Sequence, residues 1–345
     1  MGFLKPKFQK SAITAKENFR ASLGAWFSSE GKDFPWRNTR DPYAILVSEV
    51  MLQQTQIATV LGKGYYVRFL EKFPDIRSLA NAEDESLLKA WEGLGYYRRA
   101  RMIRETARAI LEIHGGVFPE KEAELLELPG IGHYTAAALR AFAFDRVSGL
   151  VDGNVSRVLS RLMDDYRCVD ATITMRAQRL RAEKLCDPEH PRRHHYAMME
   201  LGQTICRPGI PHCEICPVSG FCKTRTPEKL PVKKPRTKTT EVSEYAIWAR
   251  DDAGRVLLHH ESGNRRNGLW KLPLRTPEQC SPLKHVTNET YAITRYKVRL
   301  AIYLSDPERE SDMQSGDQWI AAGRLHDMPM AAPFRRVVER LLPDF

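Results

Sequence analysis

The chain has 345 residues, of which 42% are hydrophobic and 28% charged, and its mean hydropathy is −0.45. This length and composition predict a globular protein of about two domains, and no stretch approaches the roughly 18 apolar residues that a membrane span needs. The formal charge of +10 favours a polyanionic partner such as nucleic acid. The first ten residues lack the apolar run of a secretory signal, so we expect a cytoplasmic protein.

Helical patterns fill the first two thirds of the chain. Residues 12–30 predict an amphipathic helix, and residues 34–43 a turn-rich loop with two prolines. Asp84 is predicted to cap a later helix, and a longer helix is predicted to stop at Gly115-Gly116. Almost no alternating strand pattern occurs before residue 222, so this region is predicted to be mainly α-helical.

A Pro-Gly-Ile-Gly turn separates two predicted helices at Leu128–Gly132. Gly130 and Gly132 allow a sharp turn and a close approach of a ligand to the backbone. The following helix starts with free N–H groups, which attract a phosphate. The pattern is typical of a helix–hairpin–helix that binds the DNA backbone through Gly130, Gly132 and Thr135. The alternative is an ordinary connection between helices.

Four of the seven cysteines lie close together, at Cys206, Cys213, Cys216 and Cys222. Four thiolates from one loop can enclose a metal centre, either zinc or an iron–sulfur cluster. Zinc sites commonly use two Cys-x2-Cys pairs, whereas only one is present, so the spacing is unusual for zinc. The odd number of cysteines argues against a full disulfide framework.

The composition changes after the cysteine-rich segment. Seven basic residues and three prolines between Lys223 and Lys238 predict a solvated, extended linker, which we place at 229–242. Beyond it, the pattern predicts a strand, an Asp-Asp-Ala-Gly turn and a second strand at 242–260, then an alternating stretch at 291–305. With a predicted terminal helix, the last hundred residues form a separate α+β domain.

Two carboxylates stand in positions that invite a catalytic interpretation. Asp152 follows an apolar break at the predicted start of a helix, where a simple N-cap is the common role. Glu49 lies on an apolar helix between Val47 and Val50, where a paired structural charge is the alternative.

Five short motifs occur in a fixed order, namely Pro35–Arg37, Ser48–Gln56, Gly93–Tyr97, Leu128–Ala136 and Val151–Val155. With the cysteine loop, they closely resemble the MutY family of adenine DNA glycosylases in the endonuclease III superfamily. The resemblance covers residues 20–225. It implies a mainly α helix–hairpin–helix DNA glycosylase with a [4Fe–4S] cluster, followed by an α+β Nudix-like domain that inspects the base opposite the adenine.

The resemblance also implies a division of the chain. It predicts a catalytic glycosylase domain at 8–228, the basic linker at 229–242 and a Nudix-like recognition domain at 243–345. Within the catalytic domain it predicts a six-helix part at about 38–145 and a cluster module formed by 8–37 and 146–228.

The resemblance assigns the catalytic and metal-binding residues. Glu49 is implied to protonate the adenine, Asp152 to stabilise the sugar cation, and Asn154 and Tyr134 to support them. Bifunctional members of the superfamily carry a lysine nucleophile in the hairpin, where this chain has Tyr134, so we predict a monofunctional enzyme that leaves an abasic site. The implied cluster ligands are Cys206, Cys213, Cys216 and Cys222.

Other motif residues are implied to read the DNA. The resemblance places Gln54 in the position that the flipped adenine vacates, with Thr55, Leu52 and Leu94 nearby and Tyr96 as the wedge. Trp36 and Arg37 are implied to line the adenine pocket. For Tyr96 and Trp36 the alternative is plain core packing.

The sequence departs from the family pattern at two sites. Tyr196 stands where the family usually has a Glu or Gln that contacts the adenine edge, and a phenol makes fewer hydrogen bonds. Ile293, Thr294 and Arg295 stand where the family has a Phe-Ser-His loop that reads 8-oxoguanine. We therefore expect altered base selectivity and an altered lesion reader.

The sequence thus predicts a DNA glycosylase of base excision repair that hydrolyses the N-glycosidic bond of adenine paired with 8-oxoguanine or guanine. The predicted partner is double-stranded DNA with these mispairs, and we expect a monomer located on the nucleoid in a bacterium. One alternative is a glycosylase of the same fold that removes thymine or uracil opposite guanine. Another is a non-enzymatic DNA-binding or iron–sulfur scaffold protein.

Overall fold

The structure, a computed structural model, describes residues 14–235, 238–263, 266–306 and 313–342. The predicted starts of the catalytic domain and of the first helix, at residues 8 and 12, lie outside these ranges, as do the last three residues of the predicted terminal domain. Within the described ranges, no helix is long and apolar enough to cross a membrane.

Helices dominate the chain up to residue 222, as predicted. The α-helices of the described residues are α1 Ala15–Glu30, α2 Pro42–Leu52, α3 Ile57–Gly62, α4 Tyr65–Lys72, α5 Ile76–Ala80, α6 Asp84–Ala90, α7 Arg98–His114, α8 Glu122–Glu127, α9 His133–Phe142, α10 Gly153–Met163, α11 Thr172–Leu185, α12 Pro191–Thr204, α13 Pro277–Cys280 and α14 Ala332–Leu341.

The strands lie in the last third of the chain, as predicted. They are β1 Thr240–Trp248, β2 Val256–His260, β3 Trp270–Lys271, β4 Leu274–Arg275, β5 Lys284–Ile293, β6 Tyr296–Leu304 and β7 Asp317–Ile320. The described strands form a four-stranded sheet in the order β4-β1-β6-β5 and a three-stranded sheet in the order β3-β2-β7.

The chain packs as two compact units. Unit 1 joins the described residues up to Glu49 to Phe118–Lys234, and unit 2 joins Val50–Val117 to the described residues from Pro235 onward. These units follow packing, whereas the domains predicted from the sequence follow function, and that functional division stays a prediction.

The core of unit 1 forms where α1, α10 and α12 pack together. Helix α1 begins with a capping box in which the Thr14 and Glu17 side chains each bind the other's backbone N–H. Its apolar face is buried against the other two helices. The core side chains that these helices share are Phe19, Leu23, Val155, Val158, Leu159, Ala197, Met198 and Leu201.

The two sheets of unit 2 share a core with α6 and α14. Its fully buried members include Leu88 of α6, Leu258 of β2, Leu300 of β6 and Phe334 of α14. Polar contacts reinforce the same packing, because the Arg335 guanidinium donates to the Glu92 carboxylate at 2.7 Å. The helices of 50–117 and the terminal α+β layer therefore form one packed body.

The strand pairing differs from the sequence pattern. The turn at 251–254 is present, and Gly254 N donates to the Asp251 carbonyl at 2.9 Å. However, β1 and β2 continue into different sheets, and β1 pairs in parallel with β6 along its length. The alternating stretch at 291–305 is also two strands, because Thr294 and Arg295 form the tight turn of a β5–β6 hairpin.

Two local predictions were wrong. Asp84 does not cap α6, because Glu83 occupies the N-cap position and the Asp84 carboxylate instead pairs with Arg101 and Arg104 of α7. The first part of the predicted linker is not extended in solvent: Leu230 is buried, and Val169 N donates to the Val232 carbonyl at 2.9 Å. In both cases a partner distant in sequence overrides the local pattern.

Candidate active site

A buried carboxylate forms the centre of the candidate site in unit 1. Glu49 lies near the end of α2 and is only 3% exposed. The Tyr134 hydroxyl, from the first turn of α9, donates to Glu49 Oε2 at 2.6 Å. Asp152, at the N-cap of α10, lies close enough for its charge to act on both groups. Residues from three separate motifs therefore converge.

Burial controls the protonation of this cluster. Desolvation, and to a smaller degree the Asp152 charge, raise the pKa of Glu49 to about 7 against the Tyr134 hydrogen bond, which lowers it. Desolvation likewise raises the pKa of Asp152 and holds the pKa of Tyr134 well above 10. Near neutral pH, Glu49 can therefore hold and release a proton, whereas Tyr134 stays neutral.

A chain of hydrogen bonds fixes the Asp152 carboxylate. Its Oδ1 accepts from Val155 N at 2.7 Å and its Oδ2 accepts from Asn154 Nδ2 at 2.9 Å. Arg157 Nη2 donates to Asn154 Oδ1 at 2.9 Å, and its Nε donates to the Cys206 carbonyl at 2.7 Å. Asp152 is thus an N-cap and also the end of a fixed polar chain that starts at the cysteine loop.

The close approach of α12 to α10 depends on a glycine. A Cβ at Gly202 would lie 2.7 Å from Asn154 Cβ, so no larger residue fits without moving the helix. This contact keeps the Asn154 side chain beside Asp152.

The predicted adenine-pocket residues form an aromatic and ionic cluster. Trp36 is buried and stacks on Phe34, with ring centroids 5.4 Å apart. Arg37 pairs with the buried Glu200 carboxylate, and its guanidinium lies 4.9 Å from the Tyr196 ring centroid. These side chains are already tightly engaged with one another.

Tyr196, which replaces the family's Glu or Gln, is buried rather than presented at a surface. It stacks on Phe142 at 4.0 Å, and its hydroxyl donates to the Trp36 carbonyl at 3.4 Å. Glu200 lies one helical turn farther along α12, and its carboxylate accepts a hydrogen bond from Arg37.

The hairpin has the open geometry of a backbone-binding turn. Gly130 has φ of +80°, and Gly132 is the N-cap of α9 with open space where a Cβ would stand. Thr135 is buried, and its backbone N–H lies in the first turn of α9, where helical N–H groups have no acceptor within the helix.

The four cysteines of the loop lie in one neighbourhood. Cys206, Cys216 and Cys222 pack against the core of α1, α10 and α12. Burial, together with the charges of the other three thiols, raises the pKa of Cys216 to about 11. Arg161 of α10 holds the start of the loop, because its Nη1 lies 3.3 Å from Cys206 Sγ and 2.9 Å from the Arg207 carbonyl.

The donor set fits a thiolate-bound metal centre. The four thiols influence one another electrostatically, and a set of four thiolates suits an iron–sulfur cluster or zinc. As placed in the described residues, no three His, Cys, Asp or Glu side chains already enclose a metal ion.

In unit 2, the predicted DNA-reading residues lie on two loops. Gln54 is exposed and has φ of +60°, and Tyr96 is 50% exposed and has φ of +47°. Thr55 and Leu52 are half-buried beside Gln54, whereas Leu94 is buried. The exposure of Tyr96 argues against its alternative reading as a core residue.

The predicted lesion-reading residues lie at the tip of the β5–β6 hairpin, also in unit 2. Thr294 and Arg295 are exposed, and Thr294 has φ of +52°. The Arg295 guanidinium lies 5.1 Å from the Tyr296 ring centroid and donates to its hydroxyl at 3.1 Å. Left-handed non-glycine residues cost about 1 kcal/mol, and they concentrate at functional sites.

The sequence interpretation missed three residues of this site. Arg157 and Arg161 occur in an ordinary amphipathic helix, and Glu200 in a common Met-Met-Glu-Leu run. One signal was available for the arginines, because positions 157 and 161 fall on the apolar face of α10, where an unpaired charge is costly.

Comparisons with known proteins agree with this geometry. Residues 47–188 match the model of the HhH-GPD superfamily of base excision DNA repair proteins. An adenine DNA glycosylase of Buchnera aphidicola subsp. Baizongia pistaciae is 38% identical over 260 residues, which cover 73% of this chain and 71% of that protein. The chain belongs to the MutY family of adenine DNA glycosylases.

Other members and neighbours of the family define how far the likeness extends. The mouse adenine DNA glycosylase is 45% identical over 219 residues, which cover 59% of this chain but only 41% of that protein. The solved structure of a thermostable thymine-DNA glycosylase superposes with a TM-score of 0.55 at 30% identity, covering 60% of this chain and 94% of that one. The chain therefore spans about two fifths of the length of its mammalian relative.

Proposed function

We propose that this protein is a monofunctional DNA glycosylase that removes adenine paired with 8-oxoguanine or guanine. The observation that carries the proposal is the buried Glu49, whose pKa of about 7 suits a general acid, facing Tyr134 and Asp152. Membership of the MutY family supports the choice of adenine.

Glu49 supplies the proton that lets the base leave. Adenine departs poorly as an anion, so breaking the bond between the sugar C1′ and N9 requires a proton on the base. In this proposal, neutral Glu49 donates its proton to adenine N7, the bonding pair stays with N9, and adenine leaves as a neutral molecule. The raised pKa keeps part of Glu49 protonated at neutral pH.

Asp152 stabilises the sugar after the base has left. Loss of the base gives the sugar oxocarbenium character, and the Asp152 carboxylate, held by Asn154 and Val155 N, places a fixed negative charge beside it. Water then attacks C1′ and gives its proton to Glu49, which donation to the base has left ionised, and an abasic sugar remains.

The hairpin contains no amine nucleophile. Tyr134 occupies the place of the lyase lysine, and burial holds its pKa well above the ordinary value, so it acts as a neutral hydrogen-bond donor to Glu49. The enzyme therefore leaves the sugar–phosphate backbone intact.

The target base must leave the stack before it can react. The open turn at Gly130 and Gly132 provides backbone N–H groups for a phosphate, and the exposed Gln54 and Tyr96 provide the filler and the wedge. We place this activity on cellular DNA, with the protein acting as a cytoplasmic, nucleoid-associated monomer if the source is bacterial.

The terminal α+β layer is proposed to be the Nudix-like module that inspects the opposite base. Its hairpin tip presents the Thr294 hydroxyl, whose oxygen can accept a hydrogen bond from the N7–H that distinguishes 8-oxoguanine from guanine. Arg295 can only donate, so it suits guanine O6 and N7 better than the lesion edge. We therefore expect a weaker preference for 8-oxoguanine over guanine than a Phe-Ser-His loop would give.

The cysteine loop is proposed to hold a [4Fe–4S] cluster through Cys206, Cys213, Cys216 and Cys222. The bound cluster would supply a rigid cross-link between four points of the loop. The Arg157 chain then joins that loop to Asp152, because the guanidinium binds both the Cys206 carbonyl and Asn154.

The cluster is tested by a matched pair of variants. Cys216→Ser should lose most of the bound iron and the visible absorbance and melt at a lower temperature, since it removes one ligand. Cys280→Ser, which changes a buried cysteine outside the loop, should keep the metal content of the wild type. A colourless anaerobic protein with zinc and no iron would contradict the proposal.

The activity is tested with four duplexes that contain A opposite 8-oxoguanine, A opposite guanine, A opposite cytosine, and T opposite guanine. Under single-turnover conditions we expect excision from the first two only, with strand breaks appearing only after alkali, because no amine attacks the sugar. Strand breaks without alkali would contradict the monofunctional assignment. Cleavage of the T duplex alone would overturn the choice of adenine.

A further inference from the structure

Two loops of unit 2 expose residues in strained backbone conformations. One loop follows α2 and carries Gln54, and the other joins α6 to α7 and carries Tyr96, both with positive φ. A left-handed conformation at a non-glycine residue is unfavourable in an isolated chain. Something in the fold must therefore hold both loops in place before DNA arrives.

A single guanidinium lies between the loops. Arg99 Nη1 donates to the Val50 carbonyl at 2.8 Å and the Met51 carbonyl at 3.1 Å, and also contacts the Gln53 carbonyl. Its Nη2 donates to the Leu94 carbonyl at 3.0 Å. The same nitrogen donates to the Gly95 carbonyl at 3.2 Å and to Thr55 Oγ1 at 3.3 Å.

The two nitrogens together bind both loops, and Nη2 reaches Thr55 of the Gln54 loop as well as the Tyr96 loop. Nη1 binds carbonyls at the end of α2, directly before Gln54, and Nη2 binds the two carbonyls directly before Tyr96. The guanidinium also lies 5.6 Å from the Tyr96 ring centroid and 5.5 Å from that of Trp91. A planar fork fixes the distance between its acceptors, which the point charge of a lysine cannot do.

The guanidinium stays charged although Arg99 is half-buried. Burial lowers the pKa of Arg99 to about 10, which leaves it protonated at neutral pH. Its acceptors are backbone and hydroxyl oxygens rather than carboxylates, so its role in the structure is to organise these oxygens and not to neutralise an acid. In a desolvated setting such charge-assisted hydrogen bonds are strong.

We propose that Arg99 is a positioning residue that fixes the Gln54 and Tyr96 loops relative to each other, so that filler and wedge enter DNA together. The expected effect on base flipping rests on the proposed function, whereas the coupling of the two loops does not. Arg99 binds oxygens of the two loops themselves, so we expect it to affect the step that reaches the flipped state and not the chemical step.

Arg104 offers a matched control. It lies on the same helix, is buried where Arg99 is half-buried, and binds the Ala82 carbonyl at 3.0 Å and Asp84 at 2.9 Å, which belong to neither loop. The test compares Arg99→Lys with Arg104→Lys in the full-length protein. Amide hydrogen exchange should rise at 52–56 and 93–97 in Arg99→Lys only. Unchanged exchange in both loops would overturn the coupling, whether or not the protein excises adenine.

Kinetics test the consequence for the reaction. Arg99→Lys should slow single-turnover excision from the A opposite 8-oxoguanine duplex by about 10–100-fold, the scale of losing hydrogen bonds to a charged group. Excision of adenine from a single-stranded oligonucleotide, where no duplex has to be opened, should change far less. Arg104→Lys should alter neither rate. An equal loss on both substrates would overturn a role in positioning for base flipping.

A double-mutant cycle identifies the loop through which Arg99 acts. If Arg99 works by holding Tyr96, the Lys substitution should have little further effect in a Tyr96→Ala background. Full additivity of the two substitutions would overturn that route. If the wild type excises no adenine from any duplex, the proposed function fails, while hydrogen exchange still decides whether Arg99 couples the loops.

Discussion

Glu49→Gln should lower the single-turnover rate of adenine excision by at least about 10³-fold, within the range that general acid catalysis contributes. The amide keeps the size of the side chain and can still accept the Tyr134 hydrogen bond, but it has no proton to give to N7. Mismatch binding should persist, because Glu49 is buried and acts on the base only after flipping.

The same substitution should stabilise the fold at high pH. The pKa of Glu49 rises from 4.5 to about 7 on folding, so the folded state binds more protons than the unfolded state across this window. The wild type therefore loses stability as the pH rises from 4.5 to 7, by up to roughly 3 kcal/mol. In urea unfolding, the free energy of unfolding of Glu49→Gln should exceed that of the wild type at pH 8 and equal it near pH 4.

Tyr134→Phe provides the control for the acid. The Tyr134 hydrogen bond lowers the pKa of Glu49, so its removal should raise that pKa and shift the basic limb of the rate profile to higher pH. Substantial activity in Glu49→Gln, or a basic limb that Tyr134→Phe leaves in place, would contradict the assignment of Glu49 as the acid.

Asp152→Asn should lower the excision rate by about 10²–10³-fold, the scale for losing one group that stabilises charge in the transition state. Asparagine is as good an N-cap as aspartate, so its side-chain oxygen can still accept from Val155 N and α10 should remain folded. The expected defect is therefore catalytic, and the melting temperature should change little.

Asp75→Asn separates the capping role from the catalytic one. Asp75 caps α5 by accepting a hydrogen bond from Ser78 N at 2.8 Å, and none of the candidate catalytic residues lies on α5. Both variants should bind mismatch DNA, and only Asp152→Asn should lose excision. Comparable activity in the two variants would reduce Asp152 to a simple cap.

The sequence predicts those parts of the fold whose cause is local. The end of α7 at Gly115 and the turn at Gly130 follow from a glycine that can adopt positive φ, and the structure confirms both. The helix of Glu49 and the N-cap position of Asp152 likewise follow from residues within one turn, and the structure brings the two motifs together.

Partners distant in sequence could not be predicted in the same way. Asp84 has the sequence of a helix cap, but two arginines of the next helix outcompete the capping role. The parallel pairing of β1 with β6 joins segments about fifty residues apart, and no turn signal records it. Arg99 has a common sequence context, and only the fold shows that its fork binds two loops.

The packing of α14 against the helical part of unit 2 matters for any shortened version of this protein. Removing the terminal layer would expose Leu88, take the Met330 carbonyl from the Tyr97 hydroxyl, and leave the Glu92 carboxylate without its Arg335 partner. Glu92 and Tyr97 flank the loop that carries Tyr96. A truncated enzyme would therefore have a loosened wedge as well as no lesion reader, and its slower excision would overstate how much the reader contributes.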